Sequence, residues 1–161
     1  MVVVDASALV EMAHRTDLGL AFRSLLTQSE RVAAPELLRA EIVSVFRKDL
    51  ARGALSAKQA REALEQTLSL IDEFYPLEPL QQEALSEGSR LQHSTHDMFY
   101  FVLARRMAAT LMTADRRLME LCTCNGIDCI EEAKVELNEE RRFGQFAQRE
   151  PQCDPRHSSQ R

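Results

Sequence analysis

The sequence predicts an α/β fold with a largely parallel sheet, and three observations lead to that prediction. Short apolar runs alternate with longer segments of helical composition, as in folds built from strand–helix units. The runs are uncharged and partly β-branched, which is typical of strands buried on both faces. Two of them run into an aspartate, in "VVVD" at 2–5 and "TLMTAD" at 110–115. Because ligands bind beyond the carboxyl ends of parallel strands, both aspartates are expected at a functional edge of the sheet.

Five strands are predicted, at 2–5, 31–34, 74–77, 110–113 and 127–130. Parallel strands need long crossover connections, and the intervals between these runs are long enough to hold helices. The chain has five glycines and no glycine-rich turn after the first strand. It therefore lacks the phosphate-binding turn of dinucleotide folds, and no nucleotide cofactor is expected.

Capping residues mark the ends of several predicted helices. Pro35 suits the first position of the segment "PELLRAEIVSVFRKDLARG", which ends at Gly53. Ser56 suits the N-cap of the next segment, "AKQAREALEQTLSLIDEF". Further helices are predicted in "EPLQQEALSEGSRLQ", "STHDMFYFVLARRMA" and "ADRRLMELCTCNG", the last ending at Asn125–Gly126.

Length and charge are those of one globular domain without a basic character. The 161 residues are 45% hydrophobic and 28% charged, enough for a core of its own. The net charge of −5 gives no overall positive field, so a nucleic acid would have to be bound by a local basic patch or through cations. No run resembles a signal peptide or reaches the length of a membrane span, so a cytoplasmic protein without membrane contact is expected.

Four acidic residues stand out by position. Asp5 and Asp115 follow two strands, Glu41 shares a helical face with apolar residues, and Asp97 falls in the first turn of a helix. Taken singly, Asp97 and Asp115 are explained as helix caps and Glu41 as a surface ion-pair partner. Asp5 is harder to explain in this way, because a carboxylate that ends a three-valine strand is costly to bury without a partner.

Taken together, the four acids predict a cation site. Carboxylates that converge on one crevice repel one another and raise one another's pKa. Hard divalent cations relieve that repulsion, and oxygen-only ligands suit Mg²⁺ or Mn²⁺. Such an ion can activate water and neutralise charge on a phosphodiester during in-line attack, which would let an acidic protein cut an acidic polymer.

Four segments resemble the motifs of the PIN-domain family, in the family's order and approximate spacing. They are "VVVDASALVE", "APELLRAEIVSVFRK", "DMFYFVLA" and "LMTADRRL". Together they cover about residues 1–130, and they look most like the small toxin ribonucleases of the VapBC toxin–antitoxin class. Each motif alone occurs by chance, whereas the ordered set is specific.

The resemblance implies a PIN fold, a three-layer α/β/α sandwich with a central parallel sheet of about five strands. The PIN domain would cover 1–133, and the polar composition of 134–161 predicts an extension that is partly helical and then disordered. The implied activity is metal-dependent endonucleolytic hydrolysis of RNA phosphodiester bonds, as the toxin of a toxin–antitoxin pair, with Mg²⁺ or Mn²⁺ as cofactor.

The resemblance also implies roles for particular residues. The catalytic acids would be Asp5, Glu41, Asp97 and Asp115. The three aspartates would ligate metal, and Glu41 would ligate it or orient the attacking water. Ser7 and Thr113 match hydroxyl residues of the family, and both are candidates to hold the ligands by hydrogen bonds.

The implied partners are an RNA substrate and a cognate antitoxin protein, in a homodimer or a toxin–antitoxin hetero-oligomer. Arg116 and Arg117 are the RNA-binding candidates, since they follow a proposed ligand directly. An apolar stripe either packs in the core or forms a groove for an antitoxin helix. It comprises Phe46, Leu50, Leu64, Leu68 and Ile71.

Two departures from the family pattern keep a second interpretation open. Arg116 and Arg117 stand where some relatives carry a further acid, and Met98 and Phe99 stand where small residues are usual. Bulk at the latter positions would either narrow the pocket or repack the core. The alternative is a catalytically silent PIN-like module that binds RNA or protein; retention of all four acids favours the enzyme.

Overall fold

The computed structural model describes residues 1–26 and 31–130. The strands are β1 (Val2–Val4), β2 (Val32–Pro35), β3 (Glu73–Tyr75), β4 (Thr110–Met112) and β5 (Cys129–Ile130). The helices are α1 (Ala6–His14), α2 (Asp17–Leu25), α3 (Leu37–Ala51), α4 (Ala57–Leu68), α5 (Gln81–Leu91), α6 (Thr95–Met107) and α7 (Arg116–Cys124). The five strands form one parallel sheet in the order β3-β2-β1-β4-β5. The predicted α/β fold with a five-stranded parallel sheet is confirmed.

The connections place helices on both faces of the sheet. The chain moves in one direction from β1 through β2 to β3, then crosses back to β4 and β5. Because crossovers between parallel strands are right-handed, α1 to α4 cover one face and α5 to α7 the other. This is the three-layer sandwich that the resemblance implied. The direction of winding changes between β1 and β4, which is where ligands bind in such sheets.

Four helices begin at the carboxyl edge of this sheet. The helices α1, α3 and α7 follow β1, β2 and β4 directly. The helix α6 leads into the start of β4, so it too begins at the carboxyl edge. The first turns of four helices therefore surround the ends of β1 and β4.

The segment after β1 forms two helices, α1 and α2. Arg15 has a φ of 54°, and this left-handed residue ends α1 and lets the chain reverse into α2. Gly19 then packs directly on α1, since a Cβ atom at Gly19 would lie 2.0 Å from the Glu11 carbonyl oxygen. The close packing of α1 against α2 therefore requires glycine at this position.

A buried carboxylate ties the end of α1 to α3. Asp49 is 4% exposed, and its Oδ2 lies 3.0 Å from His14 Nε2 while its Oδ1 accepts a hydrogen bond from Arg52. The hydrogen bond with His14 holds the pKa of Asp49 below its usual value, and Arg52 contributes in the same direction. This contact joins two helices that hold acids of the candidate site, since Asp5 is the N-cap of α1 and Glu41 lies in α3.

The bulky residues after Asp97 belong to the core. Met98 is fully buried and lies beside Gly88 of α5, while Phe99 is partly buried. The departure at Met98 therefore repacks the interface between α5 and α6. The apolar stripe is also mainly core, since Phe46 and Ile71 are buried. Leu64 and Leu68 are partly buried against the core, and Leu50 is 40% exposed.

The expected extension at 134–161, and the expected boundary at residue 133, lie outside the described residues. Within the part of the chain that the structure describes, no helix combines the length and the apolar character needed to cross a bilayer.

Candidate active site

Asp5 lies at the centre of the carboxyl edge and is 5% exposed. Its backbone N–H donates to the Met112 carbonyl oxygen at 3.0 Å, which extends the pairing of β1 with β4. Its side chain caps α1 by accepting a hydrogen bond from the backbone N–H of Ser7. Its second oxygen accepts a hydrogen bond from Thr113 Oγ1 at 2.5 Å. Burial raises the pKa of Asp5 to about 6 although these hydrogen bonds lower it, and the charge of Asp97 raises it further.

Ser7 and Thr113 connect the ends of β1 and β4. Their hydroxyl oxygens are 3.2 Å apart, and Ser7 Oγ accepts a hydrogen bond from the Ala114 N–H at 2.8 Å. Thr113 Oγ1 accepts a hydrogen bond from the Asp115 N–H at 3.0 Å while donating to Asp5. Both hydroxyls thus lie where the sequence analysis placed them, against the acids. Their role in metal binding stays a prediction.

Asp115 caps α7. Its Oδ1 accepts hydrogen bonds from the N–H groups of Arg117, at 2.8 Å, and Leu118, at 3.3 Å. The capping role considered from the sequence is therefore confirmed, and it holds the carboxylate just after the end of β4. Arg116 and Arg117 are exposed in the first turn of α7, next to this carboxylate.

Glu41 is held by a residue that the sequence analysis did not select. The hydroxyl group of Tyr100, in α6, donates a hydrogen bond to Glu41 Oε2. Burial raises the pKa of Glu41, and the hydrogen bond from Tyr100 partly offsets that rise. Burial also raises the pKa of the Tyr100 phenol, and the charges of Glu41, Asp5 and Asp97 add to the effect. Tyr100 could have been found, because it follows Asp97 by three residues and so shares its side of the helix.

Asp97 interacts electrostatically with each of the other three acids. Burial raises its pKa, the neighbouring His93 and His96 oppose that rise, and the charge of Asp115 adds to it. The charge of Asp97 in turn raises the pKa values of Asp5 and Glu41. Each of the other three acids is therefore within electrostatic reach of Asp97.

His93 is a second residue that the sequence analysis did not select. Its Nε2 lies 3.0 Å from Asp97 Oδ2, and its side chain is 11% exposed. His96 is exposed, although its charge lowers the pKa of Glu41 and of Asp97. The spacing of His93 and Asp97, four residues apart, was the available signal.

The donors fit a hard divalent cation, although they are not gathered around one point. Among residues 1–26 and 31–130, no three His, Cys, Asp or Glu side chains are close enough together to hold one ion. Asp5, Asp115 and Glu41 are each turned toward donors of the protein itself. Three of the four acids have raised pKa values, mainly because they are buried and in part because like charges act on one another. Oxygen donors with excess negative charge are the set that Mg²⁺ or Mn²⁺ stabilises.

Replacing Tyr100 with Phe is expected to raise the pKa of Glu41, because the hydrogen bond from Tyr100 lowers it. The same change should reduce the free energy of unfolding by about 1 kcal/mol, the usual value of one such bond. A carbon-13 NMR titration of the Glu41 carboxyl group in both proteins measures the first effect, and urea unfolding measures the second. An unchanged Glu41 titration would show that Tyr100 does not hold this carboxylate in solution.

Comparisons with known proteins identify the family of the chain. A family model described as "PIN domain" matches residues 2–122. "Ribonuclease VapC12" of Mycobacterium tuberculosis is 32% identical over 120 residues, which are 74% of this chain and 91% of the relative. "Ribonuclease VapC1" of the same organism is 34% identical over 119 residues, 72% of this chain and 86% of the relative.

Solved structures share the fold at lower identity. The crystal structure of PAE2754 from Pyrobaculum aerophilum has a TM-score of 0.64 at 23% identity and covers 86% of this chain and 95% of that one. The structure of VapBC-1 from nontypeable Haemophilus influenzae has a TM-score of 0.59 at 15% identity and covers 81% and 98%. On the family match and the identity to these relatives, the chain belongs to the PIN-domain family and, within it, to the VapC proteins.

Proposed function

We propose that the protein is a metal-dependent endoribonuclease and the toxin of a toxin–antitoxin pair. Relatives that are named VapC ribonucleases match it over about nine-tenths of their length. The observation that carries the proposal is the group of acids around the carboxyl ends of β1 and β4, in which Asp97 raises the pKa of Asp5 and has a raised pKa itself. Perturbed carboxylates that share a crevice are typical of catalytic sites. The catalytic domain is assigned to 1–133 and the protein to the cytoplasm.

Asp5, Asp97 and Asp115 would hold Mg²⁺ or Mn²⁺. The bound ion would supply an activated water and neutralise charge on the phosphodiester. Glu41 would ligate the ion or orient the water, with its carboxylate held by the hydroxyl of Tyr100. Ser7 and Thr113 would fix Asp5 through its two oxygens, so that its carboxylate faces the crevice in one orientation.

The RNA backbone would be bound beside these acids. Arg116 and Arg117 are exposed in the first turn of α7, next to Asp115. Their guanidinium groups suit contacts with phosphate oxygens, which position the strand without reading its sequence. Because the protein as a whole carries a net charge of −5, binding depends on this local patch and on the metal.

A cognate antitoxin is the proposed protein partner, in a hetero-oligomer or beside a homodimer. Two of the solved structures that share the fold are titled VapBC, one of them from Rickettsia felis bound to promoter DNA. Co-expression with the product of the neighbouring reading frame, followed by purification of this chain, tests the pairing. Failure of the two chains to purify together would count against it.

Cleavage of a total-RNA pool tests the enzymatic proposal. The purified protein is incubated with Mn²⁺, with Mg²⁺ or with a chelator, and new RNA ends are mapped by sequencing. Sites that appear with metal, vanish with chelator and vanish in Asp115→Asn support the proposal. Sites that persist with chelator would contradict metal dependence, and binding of RNA without any new ends would favour the silent module.

A further inference from the structure

His93 makes a close approach to one of the proposed ligands. It lies two residues before α6 and four residues before Asp97, and its Nε2 is 3.0 Å from Asp97 Oδ2. The imidazole is 11% exposed and the carboxylate 29%, so the pair lies at the wall of the crevice. The charge of Asp97 acts on Asp5 and Glu41, which places the pair beside the other acids.

The ring nitrogen of His93 is not satisfied by the protein. Nε2 is fully buried, and within the described residues no hydrogen bond of acceptable geometry reaches it. Its contact with Asp97 is an ion pair that does not have the geometry of a well-directed hydrogen bond. A buried polar atom without a partner is costly, and such atoms usually have a water, an ion or a ligand as partner.

The separation of the two atoms is that of neighbouring ligands on one metal ion. Two donors that lie about 2.1 Å from an octahedral ion and at right angles are about 3 Å apart. Nε2 and Oδ2 meet this condition at 3.0 Å. A cation in front of both atoms would also give the buried nitrogen its partner.

We propose that His93 Nε2 is a nitrogen ligand of the divalent ion held by Asp97. This inference rests on the proposed function, since it extends the ligand set of the same metal site. Imidazole is a better ligand for transition metals than for Mg²⁺, which prefers oxygen. His93 therefore makes the site selective for Mn²⁺ and related ions over Mg²⁺.

Pulsed electron paramagnetic resonance of bound Mn²⁺ tests the ligand directly. Nitrogen-14 bonded to Mn²⁺ modulates the electron spin echo, and the signal is expected in the wild type. It should disappear in His93→Gln and remain in His96→Gln, the matched control three residues further along the chain. In wild-type protein that contains nitrogen-15 histidine, the nitrogen-14 modulation should be replaced by that of nitrogen-15. This control requires no substitution.

Metal affinity gives an independent readout. His93→Gln is expected to weaken Mn²⁺ binding by about tenfold or more while changing Mg²⁺ binding far less. Bound Mn²⁺ without direct histidine nitrogen coupling would overturn the inference and leave the enzymatic proposal intact. Failure of the wild type to bind Mn²⁺ at all would overturn both. Equal losses of Mn²⁺ and Mg²⁺ affinity would overturn the selectivity.

Discussion

Replacement of Asp97 with Asn is expected to lower RNA cleavage by about a hundredfold or more and to remove stabilisation by Mn²⁺. Asp97 is the acid whose charge acts on Asp5 and Glu41, and it receives the charge of Asp115 in turn. Loss of its charge therefore removes the negative charge that acts on each of the other acids. Changes to the surroundings of a metal ligand typically cost 10- to 100-fold, and loss of a ligand should cost at least the upper end.

Thermal unfolding separates the binding of metal from the cutting of RNA. A ligand that binds only the folded state stabilises it by about 2.7 kcal/mol at a hundredfold excess over Kd. The melting temperature of the wild type should therefore rise clearly with Mn²⁺, and that of Asp97→Asn should rise little. Asp128→Asn is the matched control, because Asp128 is exposed and precedes β5 at the opposite edge of the sheet. An equal rise in all three proteins would mean that Mn²⁺ binds elsewhere.

The architecture of the carboxyl edge was accessible from the sequence because it depends on local patterns. A buried strand that runs into an aspartate, as at Asp5, can be recognised in the sequence as an apolar run followed by an acid. Ser56 was predicted as an N-cap and forms a capping box with Gln59. Strand ends differ from the predicted ones by at most two residues, as with β3 at Glu73–Tyr75, where pairing with β2 sets the bounds.

The contacts that complete the site were not accessible in the same way. Tyr100 meets Glu41 only because α3 and α6 lie against the same strands from opposite faces, and no spacing in the chain encodes that distance. The turn between α1 and α2 depends on Arg15 in a left-handed conformation, which glycine or asparagine would have signalled. The effect of the bulky side chain of Met98 could not be predicted, because it depends on the position of Gly88 in α5. The contacts of Tyr100 and Met98 depend on how separate elements pack together, whereas Arg15 is a local conformation that its residue type does not indicate.

Replacement of Asp5 with Asn is expected to stabilise the metal-free protein at pH 7.5. Burial raises the pKa of Asp5 from 3.8 to about 6, so the folded state binds a proton more tightly than the unfolded state does. The stabilisation that protonation provides is complete below pH 3.8 and is lost as the pH rises through about 6. At pH 7.5 the buried charge therefore costs about 3 kcal/mol relative to its protonated form. Asparagine carries no charge at any pH, although it satisfies Thr113 less well.

Urea unfolding in the presence of chelator, at pH 4 and at pH 7.5, measures this difference. The variant should unfold later than the wild type at pH 7.5, and the gap should shrink at pH 4, where Asp5 is protonated. The raised pKa values of Asp97 and Glu41 act in the same direction, but both acids are present in either protein, so their effects largely cancel in the comparison. Excess Mn²⁺ should reverse the order, because only the wild type keeps the full ligand set. A variant that is less stable at pH 7.5 would make Asp5 a structural acceptor for Ser7 and Thr113. The expected reversal would instead show a carboxylate that destabilises the empty fold and is stabilised by the ion it binds.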